Sequence, residues 1–174
     1  ETSVTLTSST VTLIEGVTYY LSVRTTDVAG NVSSVANGDG VTIDLTAPVG
    51  STVSDGTGDD IDYTGSDTTL SAHWPVFTEA VSDIAKYEYA IGTLTTTDVV
   101  DWTDNASDTS FTRTNLNLIS GTAYFVSVKA TDLAGNVSAT VTSDGDTVDT
   151  AGPIVGSVTD SSSTDLDWTK STST

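Results

Sequence analysis

Moved along by about 105 positions, the chain lies on itself without a gap: residues 1–69 align with 106–174, and roughly 26 of the paired residues are identical. Gly16 meets Gly121, Tyr19 meets Tyr124, Pro48 meets Pro153, and "TTDVAGNVSS" (Thr25 to Ser34) meets "ATDLAGNVSA" (Ala130 to Ala139). A period of that length is too long for one coil of a solenoid and suits a whole domain. The 174 residues therefore read as tandem domains joined end to end, an excerpt in which one copy is whole.

Within the unit the apolar signal has period two. In "TAYFVSVKATD", Tyr124, Val126, Val128 and Ala130 share one face and Phe125, Ser127, Lys129 and Thr131 the other, as in a half-buried strand. "TYYLSVRTTD" repeats the pattern with Tyr19, Leu21 and Val23, "TTLSAHW" alternates Leu70, Ala72 and Trp74, and "AKYEYAIG" alternates Tyr87, Tyr89 and Ile91. No stretch keeps helical spacing. Between the apolar runs lie "DGTGDD", "TGSDT", "TDNASD" and "SDGD", clusters of turn-forming residues. The expectation is an all-β chain. In the two Asp-Xaa-Ala-Gly-Asn stretches, Gly takes positive φ without steric cost and Asn tolerates it. Asp27, Gly30 and Asn31, like Asp132, Gly135 and Asn136, are therefore read as a tight hairpin.

Composition limits what such a chain does. Without Cys there are no disulfides and no thiolate metal sites. The 24 acidic residues against 5 basic ones give a net charge of -19. That charge repels nucleic acid and anionic membranes, and makes divalent cations the natural counter-charge. No charged-then-apolar leader and no apolar run long enough for a bilayer is present, so direct membrane insertion is not expected. The lone histidine, His73, excludes a multi-histidine metal centre and reads as an outward strand residue beside Trp74. Acid pairs such as Asp59 and Asp60 sit on loops with no apolar pocket to raise a pKa, and neither a nucleophile elbow nor a phosphate loop occurs. No enzyme is indicated. Trp102 and Trp168 read as packing residues, with sugar stacking as the functional alternative. Asn31, Asn105 and Asn136 begin glycosylation-type triplets.

"LNLISGTAYFVSVKATDLAGNVS" resembles the final three strands of a fibronectin type III domain, "TTLSAHW" is similar to its Trp-bearing second strand, and "IAKYEYAIGT" to its Tyr-bearing third. The resemblance places Tyr19 and Tyr124 where such sandwiches carry a tyrosine that bonds the backbone at a corner. "DIDYT", "YEYAIGT" and "VVDWT" further resemble repeats of very long secreted bacterial adhesins, gliding-motility adhesins of the Bacteroidetes among them. The pattern departs from type III domains in a long, acid-rich link from Asp55 to Asp67, and no Arg-Gly-Asp motif is present. What the resemblance implies is tandem Ig-like, fibronectin type III-like β-sandwich domains: residues 1–48 the C-terminal strands of one repeat, 49–152 a complete domain, and 153–174 the first strands of the next. Strands are expected near 50–54, 69–75, 85–92, 99–103, 110–118, 122–131 and 137–149, closing two sheets over Trp74, Tyr87, Tyr89, Leu116, Leu118, Tyr124, Val126 and Val128.

Asp suits turns and equally suits calcium, a hard cation that takes oxygen ligands. Asp55, Asp60 and Asp62 recur as Asp160, Asp165 and Asp167. By the type III topology, Asp55, Asp60, Asp62 and Asp149 would converge where the chain leaves the domain, while Asp44 of the preceding copy would face Glu79, Asp83 and Asp132. The expectation is structural calcium between domains at these eight residues, weighed against solvated turn acids; no EF-hand loop is present. The function implied is an extracellular, cell-surface extender: a repeat of a large adhesin or surface filament that holds a binding region away from the cell. Its partners would be neighbouring repeats of the same chain, with surface polysaccharide or other cell-surface proteins beyond. The alternative is a spacer or carbohydrate-binding module of a secreted polysaccharide-degrading enzyme.

Overall fold

The computed structural model describes residues 12–94 and 97–158, and among them every regular element is a strand. In chain order these are β1 (Thr18–Tyr19), β2 (Ser22–Val23), β3 (Ala36–Asn37), β4 (Val41–Thr42), β5 (Ser54–Asp55), β6 (Tyr63–Thr64) and β7 (Leu70–His73). They continue with β8 (Ile84–Gly92), β9 (Val100–Asp104), β10 (Ser110–Arg113), β11 (Ala123–Asp132), β12 (Val141–Thr142) and β13 (Asp146–Val148). β7 pairs with β5 on one side and β10 on the other to form one sheet. The second sheet runs β6-β13-β11-β8-β9, with β12 alongside β11. This strand order, two largely antiparallel sheets sharing one core, is that of an immunoglobulin-like sandwich.

The alternation seen in the sequence decides which side faces inward. Val53, Leu70, Ala72, Trp74 and Phe77 meet Tyr87, Tyr89, Ile91, Tyr124, Val126, Val128 and Ala130 from the opposite sheet, closed by Val100, Leu118 and Val148. Burying each of the larger side chains contributes about 1.5–3 kcal/mol. The rings interlock: Trp74 lies edge-on to Tyr87 at 5.7 Å, Phe77 to Tyr87 at 5.3 Å, and Tyr89 stacks on Phe111 at 3.8 Å. All eight expected core residues belong here, with Leu116 at the margin.

The strand boundaries depart from expectation in four places. The link from Asp55 to Asp67 is not a loop. It carries β6, which leaves the first sheet and adds to β13 in parallel, Thr147 opposite Tyr63 and Val148 opposite Thr64. The strand expected over 110–118 stops at Arg113, because Asn115 adopts positive φ (59°) and Leu116 and Leu118 turn their N–H groups to the carbonyls of Thr68 and Asp67. The strand expected over 137–149 is broken into β12 and β13 at Gly145, whose φ of 100° suits glycine and whose missing side chain leaves room for the Phe125 ring. Over 50–54 only Ser54 enters a ladder, although Val49 forms an isolated bridge with Thr78.

The sequence repeat is also a repeat of hydrogen bonds. β1 and β4 pair Tyr19 with Val41 as β11 and β13 pair Tyr124 with Asp146, and β2 and β3 pair Val23 with Ala36 as β11 and β12 pair Val128 with Val141. Tyr19 Oη accepts from Ile14 N–H at 3.0 Å, and Tyr124 Oη from Ile119 N–H at 2.9 Å. Gly16 N–H reaches the Ile43 carbonyl at 2.8 Å, and Gly121 N–H the Val148 carbonyl at 2.7 Å. The first copy has no facing sheet among the described residues, and its Leu21 and Val23 stand 52% and 48% exposed.

Candidate functional site

Three segments meet where the chain enters the sandwich. Val49 and Thr78 exchange backbone hydrogen bonds at 2.9 and 2.8 Å, fastening the arriving chain to the 75–83 loop. In that loop Glu79 folds back on itself: its Oε1 accepts from Ala80 N–H at 2.6 Å and Val81 N–H at 3.0 Å. Beside it the turn after β11 is drawn shut by Asp132, whose Oδ1 accepts from Asn136 N–H at 2.8 Å and whose Oδ2 accepts from Asn136 Nδ2 at 2.9 Å. Burial alone would push the Asp132 carboxyl up. The hydrogen bonds from Asn136, Gly135 and Ala134 outweigh it and hold the group below the ordinary aspartate value, so it is ionised at neutral pH.

Asp44, from the tail of the preceding copy, completes the group. Its Oδ1 accepts from Thr46 N–H at 3.1 Å in a local turn, and its backbone carbonyl accepts from Asn136 Nδ2 at 3.2 Å. One carboxylate oxygen from each of Asp44, Glu79 and Asp132 lies within 4.8 Å of the others. Asp44 is 9% exposed and Asp132 2%. Asp44 Oδ2 and Glu79 Oε2 are buried and have no hydrogen-bond partner. Asp83, expected with them, is exposed, and its contribution is a backbone carbonyl that accepts from Leu133 N–H at 2.9 Å.

A second acidic group lies on the flank where the chain changes sheets. Carboxylate oxygens of Asp55, Asp60 and Asp144 approach within 4.8 Å of one another, but here they knit loops together. Asp60 accepts from Asp55 N–H at 2.6 Å, and Asp55 Oδ2 from Gly145 N–H at 3.1 Å. Burial pushes the Asp55 carboxyl up to about 6; bonds from Ser143 and Gly145 oppose the rise, and Asp146 and Asp60 add to it by repulsion. Asp146, 4% exposed with Oδ1 unpartnered, is pushed to about 6 by burial and by the Asp62 charge. Asp62 and Asp149, expected with Asp55 and Asp60, stand apart from that group, and Asp149 is exposed with its Oδ1 on Ala151 N–H at 3.0 Å. Asp144 and Asp146 were not among the sequence candidates. The recurrence of Asp39-Gly40 as Asp144-Gly145 was the available signal for the first.

The remaining candidates have structural occupations. His73 is half-buried, with Nδ1 3.2 Å from the Gly56 carbonyl oxygen. Trp102 is outside the core, and Lys129 Nζ sits 4.2 Å above its ring, which covers one of the faces a sugar would use. Asn31 and Asn105 spend their amide nitrogens on Asp27 and on the carbonyls of Asp108 and Ser110, as Asn136 does on Asp132 and Asp44. Trp168 lies outside the described residues.

The chain is 34% identical over 141 residues to chitinase A1 of Niallia circulans, a match taking in 79% of this chain and 18% of that protein. The chain thus spans under a fifth of the curated relative's length. No family model matches. Among solved structures, the sixth fibronectin type III domain of human fibronectin type III domain containing protein 3 is 18% identical, covers 64% of this chain and 95% of its own, and has a TM-score of 0.42. The FN1–FN3 domains of chicken CNTN1 are 19% identical, cover 74% of this chain and 42% of theirs, and give 0.43.

Proposed function

We propose that this chain is a spacer: a tandem fibronectin type III-like segment of a larger extracellular protein, whose work is to set distance and direction between the parts it joins. The observation that carries this reading is the docking of one copy's tail against the loops of the next, the Asp44 carbonyl on Asn136 and the arriving chain at Val49 on Thr78, in a chain that writes the same hairpin twice in the same register. Units that repeat end to end gain reach with copy number and need no active site of their own. The setting we favour is a secreted adhesin or surface filament, where the tip touches polysaccharide or other cell-surface proteins.

A second setting is favoured by a specific finding, the match to a stretch of a chitinase. In it the segment separates the parts of a secreted polysaccharide-degrading enzyme. Small-angle scattering on one, two and three linked copies tests the spacer reading: the maximum dimension should rise linearly with copy number, and a compact particle would end it. Glycan binding that disappears on Trp102→Ala would mark a sugar-binding module instead.

A further inference from the structure

The group at the junction has an electrostatic debt that the protein itself does not settle. Two carboxylate oxygens, Asp44 Oδ2 and Glu79 Oε2, are buried without a donor, and the third member, Asp132, is itself buried. Among the described residues the ion pairs are those of Lys86 and Lys129 with Glu88 and Asp104, and none involves this group. Desolvated carboxylates facing one another without a counter-charge are strongly unfavourable. The other acidic group differs on this point: its buried member, Asp55, has no carboxylate oxygen left buried and unpartnered, and Asp60 and Asp144 are exposed.

We propose that Asp44, Glu79 and Asp132 hold a divalent cation, calcium by their chemistry, in a site divided between successive repeats, the tail of one supplying Asp44 and the head of the next supplying Glu79 and Asp132. Oxygens alone select a hard cation, and ligands on three separate segments suit the adaptable shell of calcium better than the rigid octahedron of magnesium. At a calcium–oxygen distance of about 2.4 Å, ligand oxygens lie within about twice that of each other, which the 4.8 Å limit of this group meets. Asp132 keeps spare lone pairs for the purpose, since each carboxylate oxygen accepts more than once.

The repeat supports the division. Asp149 stands where Asp44 stands in the preceding copy and makes the same turn, its Oδ1 on Ala151 N–H at 3.0 Å; Asp27 stands where Asp132 does and takes the same pair of bonds from Asn31 at 2.8 Å. Asp149 and Asp27 have no described neighbouring copy and are exposed, whereas Asp44 and Asp132 meet and are buried. The aspartate of each half thus recurs at its end of the other copy. The cation site stands without the spacer reading, and the scattering series above and the titration below fail independently.

The test is calorimetric titration of the full chain with calcium chloride after chelator treatment, with melting curves in chelator and in calcium. The expected result is a saturable event with an affinity in the range of extracellular modules, about 10⁻⁴–10⁻³ M, accompanied by a raised Tm. Asp44→Asn and Glu79→Gln should each weaken it at least about tenfold by removing a charged ligand, and Asp60→Asn should leave it unchanged. In chelator Asp44→Asn should melt at or above the wild-type temperature, because it relieves repulsion; in calcium it should melt below. No calcium-dependent heat, wild-type affinity in Asp44→Asn, or an equal fall in Tm with and without calcium would overturn the site.

Discussion

Residues 14–44 and 119–149 fold one hairpin twice, and among the described residues only the second is roofed by a facing sheet. Tyr19 is half-buried where Tyr124 is 4% exposed, Leu21 is 52% exposed where Val126 is 2%, and Val23 is 48% exposed where Val128 is 0%. Yet the strand pairing, the tyrosine bond and the positive φ of Gly16, Gly30 and Gly40 are those of Gly121, Gly135 and Gly145. Register in this unit is therefore a local property, set by turn residues and a backbone-bonded tyrosine. The energy that holds the hairpin comes from elsewhere, from the sheet that covers it.

The largest effect expected from that difference is at the tyrosines. Tyr124→Ala should cost about 3–5 kcal/mol in urea unfolding of the full chain, the usual loss for a buried aromatic. Tyr19→Ala should move the same transition by less than about 1 kcal/mol, and equal losses would break the comparison. Next come the paired glycines. Gly145→Ala forces an L residue to a φ of 100° against the Phe125 ring and should cost about 2–3 kcal/mol. Gly40→Ala meets the same strain against Tyr20 and should leave the main transition unmoved.

A third difference is chemical: Val41 in the first copy is Asp146 in the second. Asp55 and Asp146 have folded values of about 6 against 3.8 unfolded, and Asp60, Asp62 and Asp144 surround them with further negative charge. Between those pH values the folded state holds more protons than the unfolded, so stability falls as pH rises through the window and is flat on either side. The loss is expected to be about 4–5 kcal/mol for the two groups together, read from unfolding free energies at pH 4 and pH 7. Asp146→Val, which writes the first copy's residue into the second, should halve that loss and raise stability at neutral pH. The smallest effect is the hydroxyl alone. Tyr124→Phe leaves the Ile119 N–H without its partner and should cost about 1 kcal/mol, with faster amide exchange at Ile119.

What the sequence made legible follows the same division. Alternation put Leu70, Ala72 and Trp74 on one face and Tyr87, Tyr89 and Ile91 on another, and those faces meet in the core, because a half-buried strand shows its period in its own residues. The change of sheet at β6 left no such mark: two residues, Tyr63 exposed at 70%, between turn-forming neighbours, paired only with chain more than eighty positions on. Asp144 escaped notice for a related reason, since its approach to Asp55 and Asp60 depends on the break at Gly145. Strand order places Asp44 beside Glu79 and Asp132, but that Asp83 stays outside their group is a matter of loop conformation, which chain order does not specify.

The parallel pairing of β6 with β13 bears on how the molecule meets tension. β6 lies near the start of the sandwich and β13 near its end, and they are joined by Thr147 N–H to the Asp62 carbonyl at 2.9 Å and Asp149 N–H to the Thr64 carbonyl at 2.8 Å. Force applied at the two termini drags neighbours that run the same way past each other lengthwise. Both bonds then take strain together, as rivets do in a lap joint, whereas an antiparallel edge peels one bond at a time. The segment whose composition looks like slack is thus loaded in shear when the chain is stretched.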